Sequence, residues 1–184
     1  MRRILLIALG AMVLVGALLL AGCGGGEGEE DKKAVVLDKK PKVNIETDKG
    51  LIVLELFREV APNHVQNFLE LVDQGFYNGL TFHRVVPGFI IQGGDPEGDG
   101  TGHAGYLIPA EFSNLKHMPG TLSMARGTDP NSASCQFFIC LGQLPDLDDK
   151  YTIFGQVVEG MKVANEIAKV EVKGNRKLKE RSMP

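Results

Sequence analysis

The chain has 184 residues, 43% hydrophobic and 23% charged, with a formal net charge of −3 and three cysteines. This length is enough for one domain with a proper core. The mild acidity argues against a nucleic-acid partner, which would favour a basic face, and the absence of any CxxC argues against a redox or zinc role.

Residues 1–22 read as an export signal rather than as fold. Arg2 and Arg3 form a basic start, Ile4 to Ala21 is an apolar run broken only by Gly10 and Gly16, and Leu20-Ala21-Gly22-Cys23 follows. That last tetrapeptide resembles a bacterial lipobox, in which Cys23 is lipidated and becomes the first residue of the mature chain. An uncleaved membrane helix is the competing reading, because the run is near the roughly 18-residue threshold. Either way the basic residues stay inside, and the globular part lies in the cell envelope on the extracytoplasmic side of the membrane. Of the 184 residues, removing these 22 leaves 162 and takes away two positive charges and no negative ones, so −3 becomes −5. Residues 23–42, rich in glycine and charge, read as a flexible tether that spans roughly 25 Å.

The domain is expected over 43–184. Val43, Ile45 and Thr47 alternate with polar residues, Thr47-Asp48-Lys49-Gly50 is a turn signal, and Leu51 to Phe57 completes a predicted hairpin. Val65, Phe68, Leu69 and Val72 recur at helical spacing, so a helix is predicted from near Pro62 to Gly75. Short strands are predicted around Thr81–Val86, Phe89–Gln92, Gly120–Ala125, Cys135–Cys140 and Thr152–Val158. A second helix is predicted from near Gly160, with Met161, Ala164, Ile167 and Ala168 as its buried face. Many strands with two helices suggest a barrel with helices over its ends. Cys135 and Cys140, five apart on one strand, should face opposite sides about 16 Å apart and cannot bond to each other.

Three apparent motifs are declined. Gly100-Thr101-Gly102-His103-Ala104-Gly105 has the GxGxxG pattern but neither follows a strand nor opens a helix, as dinucleotide binding requires. Asp95, Glu97 and Asp99 imitate the start of a calcium loop, but the twelfth position is Tyr106, where a bidentate glutamate is needed. His64, His83, His103 and His117 show no metal-ligand spacing. No metal and no cofactor is expected.

The most informative stretch is Phe82-His83-Arg84-Val85-Val86-Pro87-Gly88-Phe89-Ile90-Ile91-Gln92-Gly93-Gly94-Asp95, with one permanent cation in an apolar run. With Gly105–Phe112, Gly120–Arg126, Cys135–Ile139 and Leu147–Gly155 following in order, it resembles the cyclophilins, the peptidyl-prolyl cis-trans isomerases, over about Val43 to Ala168. The resemblance implies an all-β fold, an eight-stranded antiparallel barrel capped by two α-helices. It makes Arg84 the catalytic residue and lines a proline cup with Phe89, Ile90, Phe138 and Leu147. It sets Gln92 beside Arg84, gives Ala125, Arg126 and Gln136 to the peptide backbone, and brings Tyr151 to the pocket. Independently, Gln136 and Phe138 are two apart on a strand and so share a face.

The partners implied are proline-containing unfolded or flexible polypeptides, with the membrane reached through the lipid on Cys23. A monomer is expected. The rival reading is a non-catalytic lipoprotein that binds proline peptides. Ile90 stands where many members have methionine, and Tyr151 replaces a frequent histidine. Asp146 occupies the position where cyclosporin-sensitive members carry tryptophan, so weak cyclosporin binding is expected. The family usually ends in a strand that completes the barrel. Here Val170 and Val172 are the only candidates for it, because Lys173 to Pro184 is mostly basic and does not alternate.

Overall fold

The computed structural model describes residues 5–8 and 40–170. Cys23, the tether up to residue 39 and Val172 lie outside the described residues. Eight strands form one antiparallel sheet: β1 (Leu5–Ala8), β2 (Lys42–Thr47), β3 (Gly50–Leu56), β4 (Arg84–Val86), β5 (Ile90–Gly93), β6 (Thr121–Met124), β7 (Phe137–Cys140) and β8 (Ile153–Glu159). Two helices, α1 (Pro62–Asp73) and α2 (Met161–Ala168), accompany them. The strand order is β1-β2-β3-β8-β6-β7-β5-β4, and the sheet is curled. Seven of these strands come from residues 40–170.

The first strand was not expected where it lies. Leu5–Ala8, inside the segment read as an export signal, pairs with β2 in the register Leu5↔Glu46 to Ala8↔Val43. Without a neighbour the edge of β2 would present unpaired backbone groups, to which a further strand can add. The domain also begins slightly earlier than its apolar pattern. The Pro41 carbonyl accepts the Leu56 N–H at 2.9 Å, and Lys40 lies 3.5 Å from Glu59 and 3.7 Å from Glu55. At the other end, Val170 closes a turn, donating its N–H to the Ile167 carbonyl at 3.2 Å, and is not in a strand.

Period two divides the sheet into two working faces. Directly opposed residues share a face. One row runs Ile91↔Ile139↔Leu122 and turns into the main core. There it meets Phe137, Phe154 and the buried side of α1, with Phe68 edge-on to Phe137 at 5.4 Å. The next row runs Arg84↔Gln92↔Phe138↔Ser123 and faces the other way. A second apolar cluster lies there: Ile90, Ala125, Phe138, Cys140, Leu147 and Tyr151, with Phe89 and Leu144 packed against it. Cys135 and Cys140 are free thiols and fall in the two different clusters; Cys135 lies in a bend before β7, so the predicted strand over Cys135–Cys140 shortens to Phe137–Cys140.

α1 opens without a local cap. Ala61 has no side chain that could serve, so the first amides would be orphaned. Glu111 supplies the cap from a distant loop. Its Oε1 accepts the Asn63 N–H at 3.1 Å and its Oε2 accepts the His64 N–H at 2.9 Å. The same Oε2 lies 2.6 Å from His64 Nδ1. A carboxylate here also complements the positive end of the helix dipole.

Candidate active site

The outer row of the sheet brings the cation and the apolar cup together. Arg84 on β4 is half-buried and donates from Nη1 to Gln92 Oε1 at 3.3 Å. Its guanidinium lies 5.8 Å from the centre of the Phe89 ring. Burial pulls the Arg84 pKa below its ordinary value, partly offset by Tyr151; an arginine remains charged throughout the working range.

The orientation of Gln92 is fixed in turn. Its Nε2 donates to Gln136 Oε1 at 2.9 Å, and Gln136 Nε2 donates to the Gly102 carbonyl at 2.8 Å and the Gly100 carbonyl at 3.2 Å. Each amide therefore has only one workable rotation, because its oxygen must accept and its nitrogen must donate. The loop carrying those two carbonyls is wrapped around one carboxylate. Asp95, 1% exposed, accepts N–H bonds from Glu97 at 2.9 Å, Asp99 at 3.0 Å and Gly102 at 3.0 Å, and from Gly100. The acidic run that imitates a calcium loop thus spends its first carboxylate on its own backbone. Gly102 passes so close to Asp95 that a Cβ there would overlap Asp95 Oδ1 and press on the Pro96 ring at 2.9 Å. Among the described residues no group of three or more His, Cys, Asp or Glu side chains is placed to hold a metal.

Ile90, Phe138, Leu147 and Tyr151 lie together in one apolar cluster, with Phe89 packed against it. Ile90 and Phe138 are fully buried and Leu147 and Tyr151 nearly so, and Phe138 meets Tyr151 edge-on at 5.7 Å. Cys140 joins them at the base of the cup, a member that the sequence reading missed, although its parity with Phe138 could have shown it. Burial pushes its thiol up to about 12. Burial also raises the Tyr151 hydroxyl, with Arg126 and Arg84 pulling the other way.

Arg126 lines the same cavity as Gln92, but its guanidinium is hydrogen-bonded elsewhere. It bonds the Lys150, Gly127 and Thr128 carbonyls at 3.0, 2.8 and 3.2 Å and sits 4.6 Å over the Tyr151 ring, bracing it. Ala125 pairs through its N–H with the Gln136 carbonyl at 2.9 Å. A cavity of about 290 Å³ beside the amide relay is lined by Gln92, Ala125, Arg126, Gln136, Gly102 and Leu107, among others. Asp146 is exposed on a short 3-10 turn, Pro145–Leu147, beside the cup.

Residues 42–183 match the family described as cyclophilin type peptidyl-prolyl cis-trans isomerase/CLD. The chain belongs to the cyclophilin family. A peptidyl-prolyl cis-trans isomerase of Synechococcus elongatus is 50% identical over 125 residues, covering 67% of this chain and 86% of the relative. One from Helicobacter pylori is 44% identical over 140 residues, covering 74% and 85%. The crystal structure of a Cryptosporidium parvum cyclophilin superposes with a TM-score of 0.69 at 37% identity, over 72% of this chain and 86% of that one. A second structure of the C. parvum protein was obtained in the presence of the dipeptide Ala-Pro. This cyclophilin is a peptidyl-prolyl cis-trans isomerase.

Proposed function

We propose that this cyclophilin works outside the cytoplasm, held to the membrane by a lipid on Cys23, and isomerises X–Pro bonds in exported polypeptides while they fold. Slow prolines limit the folding of chains on that side of the membrane as elsewhere. The proline ring enters the cup of Ile90, Phe138, Leu147 and Tyr151. The preceding residues lie along Ala125 and Gln136, and their side chains reach the cavity beside the amide relay.

The catalytic step is arginine-assisted twisting of the amide, with no covalent intermediate. The planar bond resists rotation by roughly 18–20 kcal/mol because the nitrogen lone pair is shared with the carbonyl. Bringing tens to hundreds of seconds down to milliseconds requires about 5.5–7 kcal/mol of selective stabilisation. In the twisted amide the proline nitrogen regains its lone pair, and Arg84, with one N–H committed to Gln92, has others to donate. A preorganised charged donor of this kind contributes about 3–4 kcal/mol, and the cup supplies the remainder by holding the ring while the carbonyl turns.

The observation that carries this reading is the fixed Arg84–Gln92 pair at the edge of the apolar cup. The test is isomerisation of a short X–Pro peptide by the full chain and by Arg84→Ala. A loss of about 10²- to 10³-fold in kcat/KM is expected, and equal rates would overturn the arginine assignment in favour of a peptide-binding role. Incorporation of labelled fatty acid, lost in Cys23→Ser, checks the anchor; label retained in that variant refutes it. Asp146 in place of tryptophan supports weak cyclosporin binding, which micromolar inhibition by the drug would contradict.

A further inference from the structure

His117 lies on the connection before β6, is 1% exposed, and has no part in twisting the amide. It nevertheless holds the wall of the proline cup at several points. Its N–H donates to Asp148 Oδ1 at 2.9 Å, and its carbonyl accepts the Leu144 N–H at 2.8 Å. Its ring Nδ1 is 3.0 Å from the same Asp148 Oδ1, and Nε2 is 3.1 Å from Ser123 Oγ. Ser123 Oγ is in turn 3.0 Å from the Thr152 carbonyl. Leu144, Asp148 and Thr152 bracket the segment that carries Leu147 and Tyr151. The imidazole also lies nearly parallel to the Phe138 ring, at 16° and 6.2 Å between centroids.

Counting protons shows two states. The Asp148 carboxylate only accepts, so Nδ1 carries a hydrogen in both. Ser123 has one hydroxyl hydrogen and two acceptors within reach. With a neutral imidazole, Nε2 is a lone pair, and the hydroxyl must turn to it to avoid opposing two lone pairs in a buried site. The Thr152 carbonyl then keeps only the Met124 N–H, at 3.0 Å. With an imidazolium, Nε2–H donates to Ser123 and the hydroxyl is released to Thr152.

We propose that His117 is a positioning residue of the proline cup, and that its protonation moves the Ser123 hydroxyl from the imidazole to the Thr152 carbonyl, adding a bond that holds the Leu147–Tyr151 wall. The proposal rests on the isomerase reading of that cup. The groups facing His117 fit it. Asp148 and Asp149 favour the proton, while Lys116, 3.4 Å from Asp148 Oδ2, opposes it. Phe138, Ser123 and Thr152 are uncharged, and the Cys140 thiol beneath them stays protonated. Burial lowers the His117 pKa below its ordinary value, with Asp148 working against that, so the change falls on the acid side of an ordinary histidine.

The test uses the full chain in a protease-free isomerisation assay from pH 8 to 5, alongside nitrogen NMR of the imidazole rings. KM is expected to fall by about two- to tenfold towards acid, the effect of one hydrogen bond. It should fall in a single-proton step that coincides with the His117 titration, while kcat changes less than twofold. Ser123→Ala preserves the His117–Asp148 pair; its ring should still titrate, but the KM step should vanish. His117→Gln should be flat as well. A flat wild-type KM, or a step that survives in either variant, overturns the proposal. No turnover by the wild type at any pH would instead remove the isomerase reading, and this proposal with it.

Discussion

Gly102→Ala perturbs catalysis without touching the cup or Arg84. The added methyl cannot coexist with Asp95 Oδ1 and the Pro96 ring, so the 97–102 loop must shift. Two bonds depend on Gly102: its N–H to Asp95 at 3.0 Å and its carbonyl to Gln136 Nε2 at 2.8 Å. The first is a charge-assisted bond, and losing it costs about 1.5–3 kcal/mol of stability, or about 3–12 °C in Tm for a domain of this size. The second sets the rotation of Gln136, which sets that of Gln92, which presents its oxygen to Arg84. Weakening one neutral bond in that relay should lower kcat/KM by about two- to tenfold. The assay is peptide isomerisation at a temperature where circular dichroism shows both proteins folded. Its control is the same substitution in an Arg84→Ala background. Because the relay ends on Arg84, Gly102→Ala should there cost almost nothing further in rate. A full second loss in the double variant would refute the relay.

Phe138→Ala empties a fully buried site and should cost about 3–5 kcal/mol together with most of the activity; a melting temperature unchanged from wild type would contradict this. Glu111→Gln removes the charge that caps α1 and should destabilise by about 1–3 kcal/mol, read from urea unfolding. Acid should act in the same direction. Burial lowers the native pKa of His64, His83 and His117, so below about pH 6.5 the unfolded chain binds more protons and stability falls with pH. Burial pushes Glu111 up, but hydrogen bonds from His64 and Asn63 outweigh it and hold the carboxyl below its ordinary value. Its contribution is therefore lost at lower pH still, as it protonates. An unfolding midpoint unchanged from pH 8 to 5 would refute the histidine part. Cys135 and Cys140, pushed up to about 11 and 12 by burial, should resist alkylation at pH 8 until the protein is unfolded; prompt labelling of the native protein would show that they are accessible.

Local regularities were legible in the sequence. Val65, Phe68 and Val72 locate the buried face of α1, and the spacing of Gln136 and Phe138 gives the face of the candidate site. The hairpin turn at Thr47–Gly50 closes as its residues suggest, with Thr47 paired to Gly50. Contacts between distant segments were not legible. Nothing near α1 announces that Glu111, some 48 residues away, will cap it. Asp95 reads as part of an acidic loop until the backbone folds around its carboxylate. His117 has no motif, because its partners Ser123, Leu144 and Asp148 come from separate stretches. The predicted strand over Thr81–Val86 shortens to Arg84–Val86, since only those three residues face β5. The pairing of Leu5–Ala8 with β2 depends on a vacant sheet edge, which composition alone cannot reveal.

The alternation of the sheet gives this enzyme two nearly independent sets of residues on the same strands. On β7, Phe137 and Ile139 belong to the main core, while Phe138 and Cys140 belong to the cup. The cup can therefore be redesigned for bulkier or more polar substrates at Ile90, Phe138 and Leu147 with the interior left in place. The same economy makes register unforgiving. A single residue inserted before Phe137 would turn Phe138 inward and Phe137 outward, exchanging core and cup side chains in one step. A change of length in this strand is therefore felt on both faces at once, whereas a substitution is felt on one.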